Sequence, residues 1–364
     1  MFKNLTKKIT AGITAAAVGL TVICTAPATA AAEVSWETIA GTVISATISY
    51  NQLNKELKLV NDTEEGRMQL FQQFQQKQGV NNDPVLNSRL DKIMQNLTRA
   101  VGKVDKTIYD KPYKYFISNE KTLNAACSLG HVMMVNTGTF DYLPTDDEIA
   151  AIVGHEMGHG QKDHVMKGSK KRLNKLVAAQ LGAAAAGGGT VASAVASVMA
   201  TNSIAHGDRK LETEADNLAW EYILHTDYNI GAPAAVMQRL AELYGEKNNS
   251  NFLKPSDHPD TDKRRDNYAN KLYEYSDKHA SAKNGVITIN GKTFTTVAAT
   301  DSMSSAERSF FVLGNLAKAY HNGKNVSEAT VTDGTIYLGN IAIMTPDYGD
   351  EDAYTLAQRL NEIK

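Results

Sequence analysis

Two histidines four residues apart, His155 and His159, stand in a segment that reads as a well-capped helix. Thr145-Asp146-Asp147-Glu148 opens it, with Thr145 as N-cap and Glu148 three residues later as its capping-box partner. The helix is expected from Asp146 through about His164. Residues four apart on a helix share one face, so both imidazoles can reach one ion, and Glu156 projects toward the same site. The stretch His155-Glu156-Met157-Gly158-His159 therefore offers two metal ligands and a base. A hydrolytic zinc site needs a third protein ligand while keeping a position for water.

Downstream residues narrow the source of that ligand. A glycine three residues and a histidine six residues after the second histidine would extend the motif in one way, but Lys162 and Val165 occupy those places and His164 falls one short. The alternative is a glutamate from a later helix, which points to Leu211-Glu212-Thr213-Glu214-Ala215-Asp216. His131, His164, His206 and His225 read as core or surface histidines.

The ordered set of motifs resembles the family-48 zinc metallopeptidases, the group of the CAAX prenyl proteases, HtpX and BepA. The matching residues are His155 to His159, Arg209 to Asp216, Asn124-Ala125, Val135-Asn136-Thr137-Gly138, and His258-Pro259 with Arg264 five residues beyond the proline. They span about Asn124 to Arg264. The resemblance implies a gluzincin-type, mainly helical peptidase domain with a small sheet, and one zinc ion per chain. It makes Glu212 the third ligand and leaves Glu214 structural or exposed. Asp216, one turn beyond Glu212, is then expected to hydrogen-bond a ligand histidine. It also implies that His258 lies on a mobile loop over the metal, that Arg264 lies near the site, and that Val132 to Val135 is a sheet edge beside the cleft. Two readings stay open: an endopeptidase with Glu156 as general base, acting on misfolded or envelope proteins, and a latent or chaperone-like zinc protein capped by His258.

Composition sets the surroundings of that site. With 364 residues, 42% hydrophobic and 21% charged, the chain is ordinary globular protein, and two units are the better expectation. A net charge of -2 gives no pull toward nucleic acid. Lys3, Lys7 and Lys8 precede an uncharged stretch, Ile9 through Ile23, and the small-residue segment Ala28-Thr29-Ala30, so residues 1–30 read as a signal peptide. The protein is expected to be exported, periplasmic or secreted, with polypeptides as partners, extended or unfolded ones above all. Cys127 then remains as the single cysteine of the mature chain, which excludes an intramolecular disulfide.

The fold class read from the pattern is α+β. Helical periodicity fills Ser35 to about Val104, and short branched or aromatic runs between Pro112 and Thr139 read as strands. The Ala/Gly stretch 176–205 reads as a helical hairpin rather than a membrane-dipping segment, so no firm membrane span is expected in the mature chain. A peptidase domain over 31–282 and a small α+β domain over 283–364 complete the division, with Asn290-Gly291 as a hairpin turn. No internal repeat is evident, and neither oligomeric state nor the role of the last unit follows from the residues.

Overall fold

The computed structural model describes residues 50–171, 174, 209–244 and 261–364. The leader, the Ala/Gly stretch 176–205 and the loop carrying His258 lie outside the described residues. The fold is α+β and mainly helical, with three small three-stranded sheets. Among the described residues no helix is long and apolar enough to cross a membrane.

Three helices lead into the first sheet: α1 (Tyr50–Asp62), α2 (Glu64–Gln78) and α3 (Pro84–Val104). Each of the last two starts on a side-chain cap. Thr63 accepts from the Gly66 amide, and Asp83 accepts from the amides of Val85 and Leu86, just ahead of Pro84 at the first helical position. Such a cap contributes about 1 kcal/mol.

The sheet comprises β1 (Lys114–Ser118), β2 (Ala125–Cys127) and β3 (Val132–Asn136), in the order β1-β3-β2. β3 is parallel to β1 and antiparallel to β2, so it is central and all five of its residues are buried. Val132 and Met134 pack with Phe116 under α1 and α2, while Met133 and Val135 join α3 and the motif helix. A strand covered on both faces reads as a continuous apolar run. The expectation that Val132 to Val135 forms a sheet edge is therefore corrected: the edges are β1 and β2, and β2 is the one whose residues line the cavity described below.

After the short α4 (Thr137–Tyr142) comes the motif helix α5 (Asp146–Gln161), then α6 (Arg209–Leu224), α7 (Ala232–Tyr244) and α8 (Thr261–Tyr275). The capping box at Thr145 and Glu148 is formed in both directions. α5 ends at Gln161, earlier than the periodicity suggests, because Asp163 takes a left-handed conformation (φ 49°). Residues 164–171 then restart as helix.

The chain closes with β4 (Ala280–Lys283), β5 (Val286–Ile289), β6 (Lys292–Thr296) and α9 (Ser305–His321), followed by β7 (Ala329–Thr332), β8 (Thr335–Leu338), β9 (Ile341–Met344) and α10 (Ala353–Ile363). This is one three-strand meander plus helix, built twice, where the sequence showed no repeat. The likeness is carried by turns and alternation and not by residue identity. Asn284-Gly285, Asn290-Gly291 and Asp333-Gly334 all have both residues at positive φ, the conformation that two-residue hairpins with right-handed twist require. Buried residues of these strands, such as Ile287, Phe294, Ile336 and Ile343, belong to the same apolar cluster as Val236 of α7 and Leu272 of α8.

Candidate metal centre

The site is built where α5 and α6 cross. Gly158 allows the approach: a Cβ there would stand 3.0 Å from the Ala215 carbonyl oxygen and 3.1 Å from its Cα. With glycine on one helix and alanine on the other, Glu212, one turn before Asp216 on α6, reaches the two histidines of α5.

The Nε2 atoms of His155 and His159 are 3.0 Å apart, and the Glu212 carboxylate lies 3.4 Å from the first and 3.2 Å from the second. An ion bound tetrahedrally at 2.0–2.1 Å holds neighbouring ligand atoms about 3.3 Å apart. The residues thus fit a zinc-sized ion in both donor type and spacing. Among the described residues these three form a buried cluster able to hold a metal.

His155 has a direct orienting partner. Its Nδ1 lies 2.9 Å from Asp216 Oδ1, so an Nδ1–H donates there and leaves Nε2 for the ion. The same carboxylate accepts from Arg264 Nε at 2.8 Å and Nη2 at 2.6 Å, and from the Tyr268 hydroxyl at 2.9 Å. Burial by itself would raise the Asp216 carboxyl, but Arg264 and His155 hold it well below the usual carboxylate range. Burial and Arg264 disfavour a charged His155, yet Asp216 and Glu212 outweigh them and raise it to about 9. Arg264 and Tyr268 come from one face of α8, four residues apart.

Glu156 is held from the other side. Its Oε2 accepts the backbone N–H of Cys127 at 2.9 Å, tying the half-buried carboxylate to edge strand β2. The Cys127 side chain is buried, and burial together with Glu156 pushes its thiol well up, which argues against a nucleophile. A cavity of about 120 Å³ joins these parts: Glu156, His155, His159 and Glu212 line it, with Ala126 and Cys127 of β2 on one flank and Pro233 and Val236 of α7 on another.

The structure therefore gathers His155, His159, Glu212, Glu156 and Arg264 around one cavity, with Asp216 behind His155; His258 lies outside the described residues. Three neighbours were not anticipated. Tyr268 carried a usable signal, its spacing of four from Arg264. His164 and Glu214 carried none, because the break at Asp163 turns His164 back onto His159: the two Nδ1 atoms are 2.9 Å apart, and His164 Nε2 lies 3.2 Å from Glu214 Oε2.

Comparison with known proteins places this geometry. The family model Peptidase family M48 matches residues 84–270, more than half of the chain. The metalloprotease LoiP of Escherichia coli is 28% identical over 176 residues, 48% of this chain and 67% of that protein. A putative beta-barrel assembly-enhancing protease of Vibrio cholerae is 24% identical over 212 residues, 56% of this chain and 41% of that one. The mitochondrial metalloendopeptidase OMA1 of Arabidopsis thaliana is 27% identical over 138 residues, 37% of this chain and 27% of the relative. The chain thus spans less than half the length of the last two. The matched region contains the whole crossing of α5 and α6 and most of α8, and the chain belongs to peptidase family M48, a metallopeptidase that hydrolyses peptide bonds.

Proposed function

We propose that this chain is a zinc-dependent endopeptidase, exported after cleavage near Ala30, that cuts unfolded or extended polypeptides, misfolded and envelope proteins among them. The observation that carries the reading is the triangle of His155, His159 and Glu212 with Glu156 anchored beside it. The name of the Vibrio cholerae relative, a beta-barrel assembly-enhancing protease, supports envelope proteins as substrates.

Held by those three side chains, zinc would supply a Lewis acid that polarises the scissile carbonyl and acidifies a bound water. Glu156 accepts the attacking water's proton and returns it to the leaving amine. The Cys127 N–H keeps one carboxylate oxygen of Glu156 directed at β2. Asp216, fixed by Arg264 and Tyr268, holds the His155 ring. No covalent acyl-enzyme is required. β2 is an edge strand of its sheet and lines the cavity, so an extended peptide can add to it through main-chain hydrogen bonds. Binding of that kind reads backbone before side chains, which favours unfolded substrates.

The test is casein hydrolysis by Glu156→Gln with zinc content measured in parallel. The variant is expected to keep its zinc and lose roughly 10²- to 10⁴-fold in rate. Equal rates for variant and wild type would remove Glu156 from the mechanism.

A further inference from the structure

The two ligand histidines are supported by different devices. His155 meets a carboxylate directly, whereas His159 meets another histidine, His164, which in turn meets Glu214. His164 is buried and Glu214 is partly exposed, with 43% of its side chain accessible.

We propose that His164 and Glu214 form a relay that positions the His159 imidazole and fixes which of its nitrogens faces the metal. The inference rests on the metal reading of His155, His159 and Glu212. A carboxylate only accepts hydrogen bonds, so the contact at 3.2 Å requires a hydrogen on His164 Nε2. The neutral ring then presents a bare Nδ1. At 2.9 Å that lone pair accepts from His159 Nδ1, which must carry its own hydrogen. His159 Nε2 is left with its lone pair directed at His155 and Glu212, 3.0 and 3.2 Å away. The opposite assignment fails, because a hydrogen on His164 Nδ1 strips the hydrogen from His159 Nδ1 and puts it on the nitrogen the metal needs.

The break at Asp163 makes the relay possible. On an uninterrupted helix a residue five positions on lies about 140° around from His159. The left-handed Asp163 ends α5 and lets the next segment fold His164 back against the ligand. Glu214 is delivered by α6, two residues after Glu212 and on another face, so one helix supplies a ligand to the metal and the end of the relay to His159.

His164 and Glu214 are positioning residues, and zinc itself is the probe. The full chain, as wild type and as His164→Leu, His164→Asn, Glu214→Ala and Glu212→Ala, is titrated against a chromogenic zinc chelator. Loss of an outer hydrogen-bonding partner of a metal ligand weakens binding roughly 10- to 100-fold. His164→Leu is expected within that range, and Glu214→Ala lower, at roughly threefold to tenfold. His164→Asn is expected to recover most of the loss, because its amide oxygen can take the place of Nδ1 as acceptor. That recovery separates a hydrogen-bonding role from simple packing. Should His164→Leu fail to fold, Glu214→Ala, at a partly exposed position, carries the test. Wild-type affinity in both His164→Leu and Glu214→Ala, or no recovery in His164→Asn, would overturn the relay while Glu212→Ala still loses zinc. Wild-type affinity in Glu212→Ala would overturn the metal reading and the relay with it.

Discussion

Two buried carboxylate–guanidinium clusters pack against the motif helix, one at its start and one beside the metal centre, and an acid in each is pushed in the opposite direction. Beside the metal centre one carboxylate, Asp216, faces one guanidinium, Arg264, with Tyr268 and His155 adding two more donors. At the helix start two carboxylates, Glu148 and Glu307, share one guanidinium, Arg239, at 3.2 and 2.6 Å. Asp216 is held ionised by its excess of donors. Burial, and then the hydrogen bond it donates to Glu148, push Glu307 up to about 8 against the pull of Arg239. The difference teaches that donor count, and not burial alone, decides which buried acid keeps its charge. The ionised one is the one that meets a metal-ligand imidazole.

The comparison breaks most visibly at Asp216. Asp216→Ala leaves Arg264 buried without its carboxylate partner, and removal of one member of such a pair costs about 3–5 kcal/mol. Urea denaturation is expected to show that loss, and zinc titration a weakened site. Unchanged stability would mean that Arg264 finds its counter-charge elsewhere.

A smaller effect is expected at the other cluster, where the sign can be worked out. Unfolded, Glu307 loses its proton near 4.5; folded, near 8. Between those values the folded chain holds a proton that the unfolded chain releases, so this group's contribution to stability falls as pH rises through the window. Glu307→Gln, which stays neutral throughout, is expected to flatten the decline in stability between pH 5 and pH 8. An identical slope in wild type and variant would show that Glu307 is ionised in the fold.

Much of the metal centre was legible because its grammar is local. The capping box at Thr145 and Glu148 and the pair His155 and His159 are helix-period relations, and each is formed; Glu212 and Asp216 were reached through the family resemblance, and both meet the ligand histidines. What was not legible depends on chain direction or on neighbours far away in sequence. The order β1-β3-β2, which makes β3 central and β2 an edge, is a tertiary fact with no local signal. One left-handed aspartate redirects His164, and nothing in the residues around Asp163 announces it. The doubled meander escaped notice because turn pairs such as Asn284-Gly285 and Asp333-Gly334 conserve conformation while the strands between them keep only alternation.

Glu212 is the ligand that turns two histidines into a zinc site, and zinc content per chain for wild type and Glu212→Ala tests that role most directly. Wild type is expected to carry one zinc, and the variant, reduced to two histidines, to lose it together with peptide hydrolysis. A Glu212→Ala chain that retains one zinc and cleaves casein at the wild-type rate would contradict the account.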